Sequence, residues 1–152
     1  MGMEVWAFDP FVPAEKMQEE GVKPAATIEE LYSNCDYVSL HIPANEQTKN
    51  SINYELLSKM PKGACLVNTA RKEVINEADM AKLLAERTDF KYVTDIAAGN
   101  NDELAAFAPR YFATPKKMGA QTAEANLNAG LAAANQIVDF IKNGVTKFQV
   151  NK

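Results

Sequence analysis

The part of this sequence best able to do chemistry is Leu66–Ile75, where an apolar run ends in small polar residues and one arginine, Arg71. The residues after it read as the start of a helix. In an α/β protein a core strand of this kind delivers a side chain to the carboxyl edge of a parallel sheet, where such folds bind ligands. The alternative is an ordinary strand-to-helix loop whose arginine faces water.

The elements that must position these residues alternate between strands and helices. Strands are predicted over 4–8, 36–41, 64–68, 90–96 and 111–114, with a strand-like piece over 147–150. Helices are predicted over 13–20, 27–34, 53–60, 76–87 and 122–142, the second opened by a Thr27–Glu30 capping box. This alternation favours a parallel sheet covered by helices on both faces. The last helix is apolar on more than one face, which indicates a second packing partner.

Composition excludes several classes of function. Apolar residues make up 47% and charged residues 24% of the 152 positions, as in ordinary globular proteins. The net charge of −4 and the lack of a basic cluster give no support to a nucleic-acid or anionic-membrane partner. No apolar run is long enough to span a bilayer, and no secretory pattern opens the sequence. Cys35 and Cys65 lack metal-type spacing, so no metal site is predicted and reduced packing cysteines are favoured over a disulfide.

Short motifs stand where the predicted strands end, and their order and spacing are distinctive. They are Phe8-Asp-Pro10, Leu40-His-Ile-Pro43, Val67-Asn-Thr-Ala-Arg71, Thr94-Asp-Ile96 and the segment 114–122. Together they resemble the D-isomer-specific 2-hydroxyacid dehydrogenases, most closely the D-3-phosphoglycerate dehydrogenases. The resemblance implies an α/β, Rossmann-like, doubly wound parallel sheet, NAD as cofactor and a small phosphorylated hydroxy acid as substrate. It also implies a cytoplasmic homodimer acting in serine biosynthesis.

One feature of that family is absent from the sequence. None of the seven glycines forms the Gly-x-Gly-x-x-Gly turn that brings backbone amides to the cofactor pyrophosphate. We therefore expect a partial sheet that lacks the first strand–helix unit. Residues 1–120 would be a truncated NAD-binding domain, and residues 121–152 a long helix and terminal strand reaching toward a missing substrate domain. Alone, such a chain is expected to be inactive and to dimerise or exchange strands through its exposed edges.

The resemblance also implies roles for individual residues. Asp9, with Pro10, would bind the adenosine ribose and favour NAD over NADP, although Asp-Pro is also turn chemistry. His41 is the only histidine, yet the family uses this position to line the cofactor pocket, so a catalytic role is disfavoured. The complete set of expected cofactor-binding residues is Asp9, Pro10, His41, Pro43, Thr69, Ala70 and Asp95.

The expected catalytic residues are Arg71, Lys117 and Lys116. Arg71 would clamp the substrate carboxylate with two parallel hydrogen bonds. The family's acid–base histidine is missing, because the motif reads Thr114-Pro-Lys-Lys-Met-Gly119, and its glutamate partner falls near Asn100. Lys117, counted back from Gly119, is predicted to replace the histidine, with Lys116 as second choice. A lysine needs a lowered pKa for this, and losing the glutamate helps.

Two alternatives stay open at this point. Both lysines could bind a substrate phosphate, or face water in a protein that has lost activity. The chain could also belong to a non-catalytic module that binds or senses NAD(H), as dehydrogenase-like corepressors do. Turnover in the presence of NAD and phosphoglycerate separates an enzyme from a sensor, which binds the cofactor and does nothing further.

Overall fold

The computed structural model describes residues 2–117, 119 and 122–151. It divides into two compact units, residues 1–116 and 117–152. The boundary expected between residues 120 and 121 falls on residues outside the described part. Within that part no helix is both long and apolar enough to cross a bilayer.

The first unit alternates strands and helices much as predicted. Its strands are β1 (Trp6–Ala7), β2 (Lys23–Pro24), β3 (Tyr37–Leu40), β4 (Cys65–Asn68), β5 (Lys91–Thr94) and β6 (Tyr111–Ala113). Its helices are α1 (Ala14–Glu19), α2 (Ile28–Asn34), α3 (Tyr54–Ser58), α4 (Glu77–Glu86) and α5 (Asn101–Ala105), with a short 3₁₀ turn over Lys72–Val74. Strand β2 and helix α5 were not predicted.

All strand pairs are parallel. The larger sheet has the order β3-β4-β5-β6, and β1 pairs with β2 in a separate two-stranded sheet. The register aligns Leu40 with Asn68 and Asn68 with Thr94, so neighbouring strands end at one edge. This is the arrangement of a Rossmann-like α/β fold, and it confirms the predicted fold class.

The core lies between the larger sheet and its helices. Residues that pack there include Leu57, Leu66, Leu83, Phe90 and Leu104, each fully buried. Cys65 is buried in β4, where a packing role was predicted, and both Cys65 and Cys35 are free cysteines. Burial of so much apolar surface is the main stabilising term for a unit of this size.

The helix-start signals in the sequence work largely as expected. Thr27 accepts a hydrogen bond at its Oγ1 from the Glu30 amide (3.1 Å). The Glu30 carboxylate, however, accepts from the amide of Ala26 (2.6 Å), one residue before the position that a capping box predicts. Asn53 and Asn76 cap α3 and α4 in the same way with their side-chain oxygens.

The second unit consists mainly of α6 (Ala123–Asn143). Thr122 caps its start, and Gly144 ends it in the left-handed conformation (φ 66°), as the Asn-Gly pair predicts. The strand predicted over 147–150 is wrong: residues 147 and 148 form a turn, with Gln149 N donating to Thr146 O (3.0 Å). A single extended segment needs a partner strand, and its sequence pattern alone does not supply one.

Tyr32 gives a test of the core. Its ring is fully buried, its hydroxyl has no hydrogen-bond partner among the described residues, and burial raises its pKa. An unpaired buried hydroxyl costs free energy, so Tyr32→Phe is expected to raise the free energy of unfolding by about 1 kcal/mol in urea titrations. The matched control is Tyr111→Phe, because the Tyr111 hydroxyl donates to Asn101 Oδ1 (2.9 Å); it should be destabilising. A loss of stability in Tyr32→Phe would contradict this reading.

A second test concerns Asp89, which joins the turn before β4 to the turn before β5. Its Oδ2 accepts from Arg87 Nη2 (2.6 Å) and from Gly63 N (2.6 Å). The Arg87 bond and then the Gly63 bond hold the pKa of Asp89 well below its usual range. Its folded pKa lies below its unfolded value, so this contribution is present above about pH 4 and is lost as pH falls further.

Acid titrations of stability can isolate this contribution. Asp89→Asn should cost about 1 kcal/mol of unfolding free energy at pH 7, and the gap to wild type should close as pH falls below about 4. Urea unfolding at several pH values measures both effects. A constant gap between the two proteins across the acid range would show that the Asp89 carboxylate does not carry it.

Candidate active site

The ends of β3 and β4 enclose an open cleft of about 530 Å³. It forms because two parallel neighbours end in register at one edge of the sheet. The cleft is lined by His41, Ile42, Pro43, Ala44, Thr69, Ala70 and Arg71. The structure thus brings together five of the residues that the sequence singled out.

Arg71 lies at the rim of this cleft. Its side chain is exposed, and its Nη1 donates to the carbonyl oxygen of Ala70 (3.1 Å). Its backbone is extended (φ −136°, ψ 143°) just before the 3₁₀ turn. The guanidinium therefore lies at the sheet edge. It carries five N–H groups in a planar fork, so it can bind an anion while Nη1 donates to Ala70.

His41 follows β3 and is exposed on the wall of the cleft. Its Nε2 lies 3.0 Å from Ser39 Oγ. The loop that follows is held in place, because Thr48 Oγ1 donates to the Pro43 carbonyl (2.5 Å). A histidine hydrogen-bonded to a serine of the preceding strand, and followed by a loop whose Pro43 carbonyl is also hydrogen-bonded, suits a pocket wall.

Asp95 comes directly after β5 and is half-buried. Its amide donates to the carbonyl of Asn68, the last residue of β4 (3.2 Å). The bond ties the beginning of the Asp95 loop to the strand that carries Arg71. Asp95 therefore lies at the same sheet edge as the cleft, one strand further along.

Asp9 and Pro10 follow β1, in the two-stranded sheet, and both are exposed. Asp9 Oδ1 accepts from the amide of Phe11 (2.8 Å), so the turn chemistry considered above is present. A carboxylate has two oxygens and about four acceptor positions, so the turn and a ribose can be bound together.

The two lysines fall on either side of the division between the units. Lys116, exposed, closes the first unit, and its carbonyl accepts from Thr114 Oγ1 (3.3 Å). Lys117 is half-buried and opens the second unit. That Lys117 and Arg71 act in one site is therefore inferred from the sequence pattern alone and stays a prediction.

The position expected for the family's glutamate is occupied by a local hydrogen-bond cluster. Asn100 Nδ2 donates to the Glu77 carbonyl (3.2 Å) and to Glu103 Oε2 (3.0 Å). The Glu77 carboxylate accepts from the amides of Gly99 (2.5 Å) and Asn100 (3.2 Å). It lies so close to Gly99 that a Cβ there would approach Glu77 Oε2 within 2.7 Å. Asn100 thus helps to seat the loop before α5.

Sequence reasoning missed the residues whose side chains form hydrogen bonds with the loops of the site. Asn68 and Thr94 are both buried at strand ends, and Glu77 anchors the loop between Asp95 and α5. Polar residues at the last position of an apolar strand were the available signal. Their burial and their partners depend on the packing of the sheet, which no local pattern reveals.

Comparison with known proteins identifies the family. The sequence profile described as "D-isomer specific 2-hydroxyacid dehydrogenase, NAD binding domain" matches residues 1–116. The chain belongs to this family. Its first unit is therefore an NAD-binding domain, which confirms both the resemblance and the predicted cofactor.

Individual relatives agree with this assignment. The chain is 32% identical to D-3-phosphoglycerate dehydrogenase of Bacillus subtilis over 93% of its length and 27% of that protein. It is also 32% identical to the Haemophilus influenzae enzyme of the same name over 99% of its length and 38% of that protein. A crystal structure of NAD⁺-bound 3-phosphoglycerate dehydrogenase from Entamoeba histolytica superposes with a TM-score of 0.84 at 46% identity. That match covers 99% of this chain and 48% of the other, so the chain spans at most about half of these relatives.

Proposed function

We propose that the protein acts as an NAD-dependent oxidoreductase on a D-2-hydroxy acid, with 3-phosphoglycerate as the leading substrate. The observation that carries the proposal is the position of Arg71, at the rim of a cleft at the sheet edge of an NAD-binding domain. The relatives named D-3-phosphoglycerate dehydrogenase support the choice of substrate. Serine biosynthesis in the cytoplasm, by a homodimer, is the setting that this activity favours.

Each residue has a defined task in this proposal. Asp9 accepts hydrogen bonds from the adenosine ribose, and Asp95 fixes the nicotinamide carboxamide. His41 and Pro43 line one wall, and the backbone of Thr69 and Ala70 lies against the nicotinamide. NAD, when bound, supplies the acceptor for the hydride that leaves the substrate carbon.

The substrate is held by a cation, Arg71, and deprotonated by a lysine that acts as a neutral amine. Arg71 clamps the carboxylate through two parallel hydrogen bonds and polarises the oxygen on the reacting carbon. Lys117, or Lys116 as second choice, accepts the proton of the hydroxyl group. The second lysine would add positive charge, which also favours a phosphorylated substrate.

One observation favours a second candidate function, a module that binds NAD(H) without turnover. Asn100 stands where the family's glutamate is expected, and the described contacts tie it to Glu77 and Glu103. A site without the histidine–glutamate pair could retain cofactor binding after losing proton transfer.

Titration of this chain with NADH tests the cofactor site first. Trp6 lies three residues before Asp9, so ribose binding should change its fluorescence, and calorimetry gives an independent Kd. We expect binding tighter than about 100 µM, roughly −5.5 kcal/mol, with NADPH binding at least tenfold more weakly. Asp9→Ala should reduce NADH affinity and narrow the preference over NADPH. No binding of NADH would contradict the proposal for this chain.

Turnover then separates the two candidates. The full-length enzyme should reduce NAD in the presence of 3-phosphoglycerate, followed at the absorbance of NADH, whereas this chain alone is expected to be inactive. Binding of NADH without turnover on 3-phosphoglycerate or other D-2-hydroxy acids would favour the sensing module.

A further inference from the structure

Two buried polar side chains stand side by side beneath the candidate site. Among the described residues, the buried polar positions are Asn68 (0% exposed) and Thr94 (2% exposed). They are register partners on β4 and β5, and each is the last residue of its strand. A buried polar group is costly unless it is hydrogen-bonded, so its partners show what it does.

Asn68 uses both ends of its amide on the loop that leads to Arg71. Its Oδ1 accepts from the amide of Ala70 (3.0 Å), and its Nδ2 donates to the carbonyl of Arg71 (3.0 Å). The side chain thereby fixes the peptide groups on both sides of the Ala70–Arg71 link. Nδ2 also lies 3.5 Å from the hydroxyl of Tyr92, a buried tyrosine of β5.

Thr94 fixes the backbone of the next loop, the loop after β5, through its single hydroxyl group. Its Oγ1 donates to the carbonyl of Ile96 (3.0 Å) and accepts from the Ile96 amide (3.3 Å). The bonded residue is the one directly after Asp95. The bond from Asp95 N to the Asn68 carbonyl joins the two loops at their bases (3.2 Å).

We infer that Asn68 and Thr94 are positioning residues, which fix the loops of Arg71 and Asp95 respectively before any ligand binds. The inference rests on the proposed function for the tasks of Arg71 and Asp95. Asn68 acts on the substrate carboxylate through Arg71, and Thr94 acts on the nicotinamide through Asp95. Preformed loops lower the ordering cost of binding, so loss of Asn68 should weaken substrate binding more than cofactor binding, and loss of Thr94 should weaken cofactor binding more.

Size-matched substitutions separate the two residues. Asn68→Leu and Thr94→Val keep the side-chain volume approximately and remove the hydrogen bonds. Amide hydrogen exchange of the chain without ligand is expected to accelerate at least tenfold at Ala70 in Asn68→Leu, with Ile96 within twofold of wild type. Thr94→Val should show the converse.

Ligand affinities distinguish a positioning role from a general structural role, which would not change the two affinities selectively. In Asn68→Leu, the Kd for 3-phosphoglycerate at saturating NADH should rise at least tenfold, and the Kd for NADH should rise by a smaller factor, because the Ala70 backbone that Asn68 holds also lies against the nicotinamide. In Thr94→Val, the Kd for NADH should rise severalfold.

Conservative variants serve as rescue and guard against misfolding. Thr94→Ser keeps the hydroxyl and should behave as wild type. Asn68→Ser offers a hydroxyl that can accept from Ala70 N but not reach the Arg71 carbonyl, so Ala70 exchange should recover while 3-phosphoglycerate affinity stays low. If Asn68→Leu does not fold, Asn68→Ser and Thr94→Val still decide the result.

Equal acceleration at both amides in either variant, or no acceleration in both, would overturn the inference. A loss of affinity by the same factor for NADH and 3-phosphoglycerate, in each variant, would also overturn it. If wild type binds no NADH, the proposed function fails while the exchange experiment still decides whether the loops are held as described.

Discussion

Arg71→Lys in the full-length enzyme is expected to lower kcat/KM for 3-phosphoglycerate by roughly 100-fold, and Arg71→Met by roughly 1,000-fold. Lysine retains the charge but is a point donor, so the second of two parallel hydrogen bonds to the carboxylate is lost. Methionine loses both bonds and the charge. Steady-state assays with NAD, and calorimetry with 3-phosphoglycerate at saturating NADH, measure the two effects.

The control for Arg71 is its neighbour Lys72, a half-buried residue of the 3₁₀ turn. Lys72→Met removes one positive charge from the same segment and should change kcat/KM by less than threefold. NADH affinity should stay within threefold in every variant. If Arg71→Lys retained full kcat/KM, a carboxylate clamp at this position would be refuted.

Lys117→Met in the full-length enzyme is expected to lower kcat by a factor on the order of 10²–10⁴, the usual contribution of a positioned acid–base group. The Kd for NADH should be unchanged, because the proposed role of Lys117 is proton transfer from the substrate hydroxyl. Rapid-mixing and steady-state assays at several pH values distinguish a slowed chemical step from weaker substrate binding.

Lys116→Met is the matched control, one residue earlier and exposed. If Lys117→Met turned over normally and Lys116→Met did not, the role of proton acceptor would belong to Lys116. A rise in KM for 3-phosphoglycerate at constant kcat in both variants would instead assign the lysines to phosphate binding. Full activity in both would leave neither lysine a role in the reaction.

The sequence predicted the elements that build the cleft because their signals are local. Strand β4 is apolar and stops at a polar residue, and α3, α4 and α6 each begin after a capping side chain that accepts from a backbone amide. Parallel strands that end together then place Arg71 beside His41 without any further information. The resemblance of the strand-end motifs to those of the family is what singles out the five cleft residues.

The elements that were missed depend on contacts distant in sequence. Strand β2 is two residues long, includes Pro24, and exists only through its pairing with β1. Helix α5 has five residues and no side-chain cap of its own; Glu77, from another helix, accepts from the amides at its start. No window around residues 98–105 contains that carboxylate, so the local sequence alone does not predict this helix.

The supporting layer of the site was missed for a related reason. An asparagine at a strand end is usually read as the beginning of a turn, and Asn68 does begin one. Its side chain also occupies a fully buried position, which becomes visible only when β5 packs alongside β4. The residues expected to touch a ligand were therefore easier to identify than those that hold them.

The larger sheet adds its strands in the order in which they occur in the chain, β3-β4-β5-β6. During synthesis each new strand would emerge beside an edge that is already formed, after a single crossover. Nothing has to be inserted between strands that have already paired, which limits the loop-closure entropy of each step. The larger sheet can therefore grow from the β3 side as the ribosome delivers it.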